Sequence, residues 1–121
     1  MTRILFVEYP KCSTCQRAKK WLDEQGIDYA DRNIVTDTPT VDELERWLLD
    51  SDIPVVQLFN TSGMRYRELK LKDKIPAMSD DEILVMLAGD GMLIKRPLIV
   101  MDDVLVLKGF NTDKWNKVLT E

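Results

Sequence analysis

The stretch ILFVEYPKCSTC, residues 4–15, places a C-x-x-C motif directly after a short apolar run. The apolar residues 4–7 have the pattern of a buried strand, and the residues from Ser13 onward have the spacing of a helix. A thiol at the start of a helix faces unpaired backbone N–H groups and the positive end of the helix dipole, and both favour the reactive thiolate. The second thiol lies one helical turn away, within reach of a disulfide. The stretch therefore predicts thiol redox chemistry.

A β-α-β unit is predicted around this motif. Residues 13–25 form the helix, with apolar positions on one face and Gly26 as its C-terminal stop. Residues 29–35 form the second strand. A strand–helix–strand of this length implies a parallel pair of strands joined by a right-handed crossover. A C-x-x-C beside such a unit indicates the thioredoxin-like fold.

Helices are predicted for the middle of the chain. Capping boxes begin at Thr40 and Ser79, and each precedes apolar residues at helical spacing. Pro54 can open a further helix between them. Residues 40–91 are therefore expected to form a helical segment inserted into the fold.

The end of the chain is predicted to form a β-hairpin and a last helix. Residues 98–101 and 104–107 are two apolar runs joined by Asp102-Asp103, which is the spacing of a hairpin. Residues 111–112 can cap the last helix. Together these elements predict an α/β protein, a glutaredoxin-type thioredoxin-like mixed sheet with the helical insertion, in a single domain over residues 1–121.

Composition limits the function classes. The chain has 121 residues, 45% of them hydrophobic, and a formal net charge of -4. An acidic balance argues against broad electrostatic binding to nucleic acid or anionic membranes. There is no apolar run of about 18 residues for a membrane span, and the N-terminus lacks the layout of a signal peptide. The expected location is the cytoplasm, where the cysteines would rest reduced.

The absence of histidine removes several kinds of site. The sequence has no histidine and 2 cysteines, so no Cys–His dyad, Ser–His–Asp triad or His-ligated zinc site can form within it. Two cysteines alone cannot fill a tetrahedral structural zinc site, although a zinc ion bridging two chains stays open. We expect no metal.

Different roles are predicted for the two cysteines. Cys12 sits at or just before the first helical turn and is the expected attacking thiol, with Lys11 and Arg17 adding positive potential. Cys15 lies inside the first turn, which suits a less exposed, resolving thiol. The alternative is that both are small buried hydrophobic side chains.

Arg96 and Pro97 open the predicted strand at Leu98. In thioredoxin-like folds a cis proline at this point faces the reactive thiol, so a cis Arg96–Pro97 bond is expected, although about 5–6% of X-Pro bonds are cis. The planar guanidinium can hold an oxyanion by two hydrogen bonds and can lower the pKa of a nearby thiol. The alternative is a surface arginine that flanks a strand.

Two other groups of residues are candidate binding features. A basic cluster, interrupted by acidic residues, is expected to be a solvated face rather than an anion-binding or partner-binding surface. The three tryptophans fall at helical core spacing and are expected to pack in the interior. These residues are Arg65, Arg67, Lys70, Lys72 and Lys74 for the cluster, and Trp21, Trp47 and Trp115 for the core.

Five stretches carry a resemblance to a known family: YPKCSTC at 9–15, RNI at 32–34, YREL at 66–69, LIKRPL at 93–98 and GFN at 109–111. On these the chain resembles the thioredoxin-fold arsenate reductases and the related Spx-type transcription regulators, over nearly its whole length. The cysteine loop together with the Arg-Pro pair is specific for the family, and less specific for one activity within it.

The resemblance implies roles for individual residues. In arsenate reductases of this type the first cysteine, here Cys12, attacks arsenate, and three arginines hold the oxyanion. Arg96 matches one arginine, and the other two positions fall near Asn60 and Gly109. Glu8 stands near the place of the family's active-loop histidine. The second cysteine is more like the Spx branch, in which a C-x-x-C acts as a redox switch and the protein contacts RNA polymerase.

The leading expectation is a cytoplasmic thiol–disulfide oxidoreductase of the arsenate reductase family, with arsenate as a candidate substrate. Its substrate would be a small thiol, an oxyanion or a redox protein. It would need no cofactor, and glutathione or thioredoxin would be the external reductant. Cys12, Cys15 and Arg96 would be catalytic, and the residues expected to bind substrate or support the site are Lys11, Ser13, Thr14 and Pro97.

Two other functions stay open. One is an Spx-like redox-sensing regulator that binds RNA polymerase and has little turnover. The other is a structural adaptor whose cysteines are incidental. None of these functions involves direct binding to nucleic acid or to a membrane.

Overall fold

The computed structural model describes residues 2–121, which form a four-stranded mixed sheet with helices on both faces. The strands are β1 (Ile4–Glu8), β2 (Ala30–Asn33), β3 (Leu98–Met101) and β4 (Val104–Lys108), in the order β2-β1-β3-β4. Strand β1 is parallel to β2 and antiparallel to β3, which is antiparallel to β4. The fold is thioredoxin-like, as the sequence predicts.

The first helix, α1 (Ser13–Glu24), connects the two parallel strands. It buries Cys15, Ala18 and Leu22, which follow one another at helical spacing. Gly26 follows the helix with φ at 68°, a left-handed conformation that glycine adopts without steric cost. The predicted helix stop is confirmed at this residue.

Strand β2 is shorter than the predicted residues 29–35, and the prediction was wrong at both ends. Beyond the strand, the backbone N–H groups of Val35 and Thr36 donate to Asn33 Oδ1 at 2.8 and 3.1 Å. This local hydrogen bonding turns the chain and competes with a longer strand. The strand therefore ends at Asn33.

Short helices occupy the chain between β2 and β3. Both predicted capping boxes are present, with Thr40 bonded to the Glu43 N–H and Ser79 bonded to the Glu82 N–H. The expected helix after Pro54 is a four-residue 3₁₀ turn, because Phe59 already pairs in a β-bridge with Ile94. The α-helices are α2 (Val41–Leu49), α3 (Met64–Glu68), α4 (Leu71–Lys74) and α5 (Asp80–Gly89).

The predicted hairpin and last helix are confirmed. Asp102 and Asp103, between β3 and β4, have φ of 49° and 67°, the positive values that a tight primed turn requires. The last helix, α6 (Thr112–Leu119), is capped by Asn111, whose side chain accepts a hydrogen bond from the Lys114 N–H.

Two hydrophobic cores lie on opposite faces of the sheet, because successive strand residues point to opposite sides. Phe6 and Ile99 pack with α1 and α6, next to the buried ring of Trp115. Val7 and Leu98 pack with the helices between β2 and β3. The sheet thereby holds the end of β1 and the start of β3 side by side. No helix within residues 2–121 combines the length and the apolar character that crossing a membrane requires.

Candidate active site

Cys12 is the N-cap residue of α1, at the end of the loop that follows β1. Its backbone N–H donates to the Tyr9 carbonyl at 2.9 Å, and its carbonyl accepts from the Gln16 N–H at 3.0 Å. The side chain is half-buried and forms no disulfide. Its position puts the sulfur at the positive end of the helix, where the first backbone N–H groups have no helical partner.

Hydrogen bonds and charge hold the pKa of the Cys12 thiol below its usual value. Burial alone would raise this pKa. Hydrogen bonds from the Cys15 backbone N–H and thiol, the positive charge of Arg96 and a hydrogen bond from the Thr14 N–H together outweigh burial. Each of these groups favours the thiolate, the form that attacks disulfides and oxyanions.

Cys15 lies in the opposite kind of environment. Its side chain is fully buried, and burial is the main cause that raises its pKa to about 12. A backbone hydrogen bond at Tyr9 acts in the other direction, while the hydrogen bond to Cys12 and the charge of Cys12 raise the pKa further. Cys15 therefore remains a protonated thiol that stabilises the Cys12 thiolate.

Arg96 directly precedes β3, and the expected cis Arg96–Pro97 bond is present. Its guanidinium lies over the Tyr9 ring, 5.3 Å from the centroid. Nη1 makes long hydrogen bonds to the Met92 and Ile94 carbonyls, at 3.4 and 3.5 Å, and Nε is buried without a partner among residues 2–121. No carboxylate of the described chain pairs with this guanidinium, so its charge acts on the cleft beside it.

Cys12 and Arg96 line one cleft of about 280 Å³. The fold therefore brings together residues that lie more than eighty positions apart in the sequence. Of the four predicted supporting residues, Thr14 also lines the cleft. Lys11 and Ser13 are exposed, Pro97 is buried, and these three lie outside the lining. The full lining comprises Cys12, Thr14, Asn60, Ser62, Lys95, Arg96, Gly109 and Phe110.

The lining includes residues that the sequence motifs left without a role. Asn60 and Gly109, which the resemblance places at two arginine positions, both face this cleft. Lys95, Ser62 and Phe110 were missed as site residues. Lys95 and Phe110 belong to stretches that carry the resemblance, and Lys95 adjoins the Arg-Pro pair, which is the sequence signal that points to it.

The other candidate features lie outside the cleft. All five basic residues of the cluster are exposed, as predicted, and Arg65 pairs with Asp90 at 3.0 Å. Trp47 and Trp115 are buried and Trp21 is half-buried. Within residues 2–121 no three acidic or cysteine side chains converge as they would around a metal ion.

A family profile and several known proteins are similar to this chain. The sequence profile of the ArsC family matches residues 7–118. The uncharacterised protein YusI of Bacillus subtilis (strain 168) is 46% identical over 94% of this chain and 96% of its own length. Global transcriptional regulator Spx 2 of Bacillus cereus is 31% identical over 89% of this chain and 80% of its own. A Streptococcus mutans structure described as a possible arsenate reductase has a TM-score of 0.85 at 45% identity, over 92% of this chain and 93% of its own. The chain therefore belongs to the ArsC family.

Proposed function

We propose that the protein is a thiol–disulfide oxidoreductase in which Cys12 attacks an oxidised substrate and Cys15 resolves the product. The observation that carries the proposal is the contrast between the two thiols. The pKa of Cys12 is lowered at the open end of a helix, while the pKa of buried Cys15 is raised to about 12. This division suits an attacking thiol and a resolving thiol in one motif.

The first step forms a mixed disulfide. The Cys12 thiolate attacks one sulfur of a substrate disulfide, a new S–S bond forms, and the original S–S bond breaks. The second substrate sulfur leaves as a thiolate and takes a proton from solvent. Arg96 lies beside Cys12 and stabilises negative charge on the attacking sulfur before this step.

The second step uses Cys15. The hydrogen bond to Cys12 and the Cys12 charge are two of the causes that raise the pKa of Cys15, and both disappear when Cys12 is bound in a disulfide. Cys15 then loses its proton more easily and attacks the Cys12 sulfur. The bound substrate thiol leaves, and a Cys12–Cys15 disulfide remains. The two cysteines have supplied two electrons to the substrate.

We propose an external thiol, glutathione or thioredoxin, as the donor of the two electrons that reduce the Cys12–Cys15 disulfide again. The cycle uses no metal and no organic cofactor. We propose the cytoplasm as its location, because a cysteine pair that is oxidised only transiently suits a reducing compartment.

Arsenate is the oxyanion substrate to test. The similarity to the Streptococcus mutans protein and the presence of Arg96 beside Cys12 support it. In this case the Cys12 thiolate binds arsenic and displaces a hydroxyl group as water. Attack of Cys15 on the Cys12 sulfur then leaves two electrons on arsenic and releases arsenite.

Turnover assays with cysteine variants test the proposal. We expect the wild-type protein to reduce a small disulfide with glutathione or thioredoxin as donor, and Cys12→Ser to abolish turnover. Cys15→Ser is the matched variant: it should stop the cycle after the first step and accumulate a mixed disulfide on Cys12. Turnover that survives Cys12→Ser, or oxidation that leaves the two cysteines unlinked, would contradict the mechanism.

The second candidate function is a redox-switched regulator that binds RNA polymerase. The similarity to Spx 2 favours it. A binding assay with purified RNA polymerase, with and without oxidant, separates the two functions. Redox-dependent binding without dithiol turnover would favour the regulator, whereas turnover without binding would favour the enzyme.

A further inference from the structure

The cleft at Cys12 is positively charged in a protein that is acidic as a whole. Its lining contains Lys95 and Arg96, and none of the lining residues that the structure describes is acidic. The chain has 21 acidic and 17 basic residues and a net charge of -4, so the charge of the cleft is opposite in sign to the net charge of the protein. Clefts lined by one sign of charge concentrate ligands of the opposite sign.

Lys95 is held at this cleft by its backbone and is not neutralised there. Its N–H donates to the Leu58 carbonyl at 2.6 Å, and the next residue begins the cis Arg96–Pro97 bond. None of the ion pairs among residues 2–121 involves Lys95.

The pKa of a second lysine, Lys108, is affected by the same excess of positive charge. Burial is the main cause that lowers the pKa of Lys108, and the charges of Lys95 and Lys114 lower it further. An anion bound between Lys95 and Arg96 would relieve this repulsion.

Gly109 lies next to the Lys95 side chain and leaves room for it. A Cβ atom at this position would lie 3.1 Å from Lys95 Cε, tighter than most real contacts, so the lysine side chain would have to shift by a few tenths of an ångström. The φ of Gly109 is 68°, a conformation that other residues rarely adopt. The Lys95 side chain therefore lies over a position that is kept free of other side chains.

We propose that Lys95 is a specificity-determining residue that, together with Arg96, binds the carboxylate of a small organic disulfide. The Cys12 thiolate attacks one sulfur of this disulfide, the S–S bond breaks, and the other sulfur leaves as a thiolate. The inference rests on the proposed function because it takes Cys12 as the attacking thiol. A carboxylate is flat and fits the two parallel N–H donors of a guanidinium, and the ammonium adds a point charge. The ring of Phe110 and the amide of Asn60 line the same cleft and suit the body of an organic molecule.

Alkylation of Cys12 by iodoacetate and by iodoacetamide tests the proposal. The two reagents have nearly the same size, and one carries a carboxylate. Both react with the thiolate, so the ratio of their rate constants is independent of the pKa of Cys12. We expect Lys95→Met to lower the iodoacetate-to-iodoacetamide ratio by about two- to fivefold, the range of one partly exposed charge pair. The matched control is Lys117→Met, an exposed lysine of α6 outside the cleft, which should leave the ratio unchanged.

Gly109→Ala provides an independent variant. In the wild-type background it should lower the ratio, and in the Lys95→Met background its effect should be smaller, because part of its action in the wild-type background is a shift of the lysine. Circular dichroism checks that each variant is folded. If Gly109→Ala does not fold, the alkylation ratio of Lys95→Met alone tests the proposal. A ratio that stays at the wild-type value in Lys95→Met would overturn the proposal.

Two further outcomes are distinguishable. If iodoacetamide modifies Cys12 no faster than Cys15, the proposed function fails; if Cys12 reacts but the ratio is insensitive to Lys95, the inference about Lys95 fails alone. Inorganic phosphate at constant ionic strength separates a carboxylate from a tetrahedral oxyanion. We expect any protection of Cys12 by phosphate to depend on Arg96 and to be the same in Lys95→Met as in wild type, and strong phosphate protection that Lys95→Met removes would overturn the carboxylate assignment.

Discussion

Replacement of Glu8 by glutamine is expected to change how the stability of the protein depends on pH. Glu8 is the last residue of β1, next to the cysteine loop, and is 2% exposed. Its Oε2 lies 3.4 Å from Lys19 Nζ and accepts no hydrogen bond among residues 2–121. Lys19 is closer to Asp31, at 2.6 Å, so the buried carboxylate is incompletely compensated.

The magnitude follows from the pKa of this carboxyl. Burial, followed by the neighbouring Asp31 carboxyl group, raises the pKa of Glu8 from 4.5 to about 7, against the opposing effect of Lys19. Between these two pH values the folded protein keeps a proton that the unfolded chain has lost, so stability falls as pH rises. At roughly 1.4 kcal/mol per pH unit, the difference corresponds to a loss of about 3 kcal/mol across this range.

Glutamine resembles the protonated carboxyl and does not titrate. We therefore expect the unfolding free energy of Glu8→Gln, relative to wild type, to rise by about 3 kcal/mol between pH 4 and pH 8.5 and to level off above pH 7. Urea unfolding at a series of pH values under reducing conditions measures this difference. The control Glu24→Gln gives the effect of removing an exposed glutamate from α1. A Glu8→Gln difference that does not change with pH would refute the reasoning.

Three further predictions concern the site and its supports. Arg96→Ala should raise the pKa of Cys12 and slow its alkylation at neutral pH, because a positive charge that favours the thiolate is lost. Arg96→Lys should restore part of the alkylation rate, and alkylation kinetics as a function of pH measure both variants. Cys15→Ala should also raise the pKa of Cys12 in the same assay, because the thiol donor disappears, whereas an unchanged profile would remove Cys15 from the stabilisation of the thiolate. Gly91→Ala should destabilise the fold by about 2–4 kcal/mol in urea unfolding, because the new Cβ would lie 2.0 Å from the Ile34 carbonyl oxygen; a loss below about 0.5 kcal/mol would show that the backbone relaxes.

The β-α-β unit could be predicted because its signals are local. An apolar run, a helix with one apolar face and Gly26 are each visible in a few residues, and the structure confirms all three. The helix starts at the capping boxes of Thr40 and Ser79 could be predicted for the same reason, because each box satisfies backbone N–H groups within one turn.

Helices α3 and α4 could not be predicted in the same way. They are five and four residues long, and the first of them buries none of its residues, so they show no apolar periodicity. For the 3₁₀ turn after Pro54, the sequence predicted the start of a helix but not its length. A helix start was correctly placed, but the β-bridge between Phe59 and Ile94 limits the turn to four residues.

The candidate site was predicted as far as its residues lie in motifs. Cys12 and Arg96 were named from the sequence, and the fold brings them to one cleft. Lys95 was missed because a lysine beside a strand is ordinarily a surface residue. Only the tertiary structure shows that Gly109, fourteen residues further on, leaves room for it.

Competitive labelling of both cysteines in one sample, as a function of pH, shows which of the two thiols is the nucleophile. Each cysteine peptide is quantified by mass spectrometry after alkylation of the folded protein. We expect Cys12 to be labelled first, with a pKa below that of an ordinary thiol, and Cys15 to stay protected until the pH approaches about 12 or the protein unfolds. Equal labelling of the two thiols at neutral pH, or faster labelling of Cys15, would contradict the assignment of Cys12 as the attacking thiol.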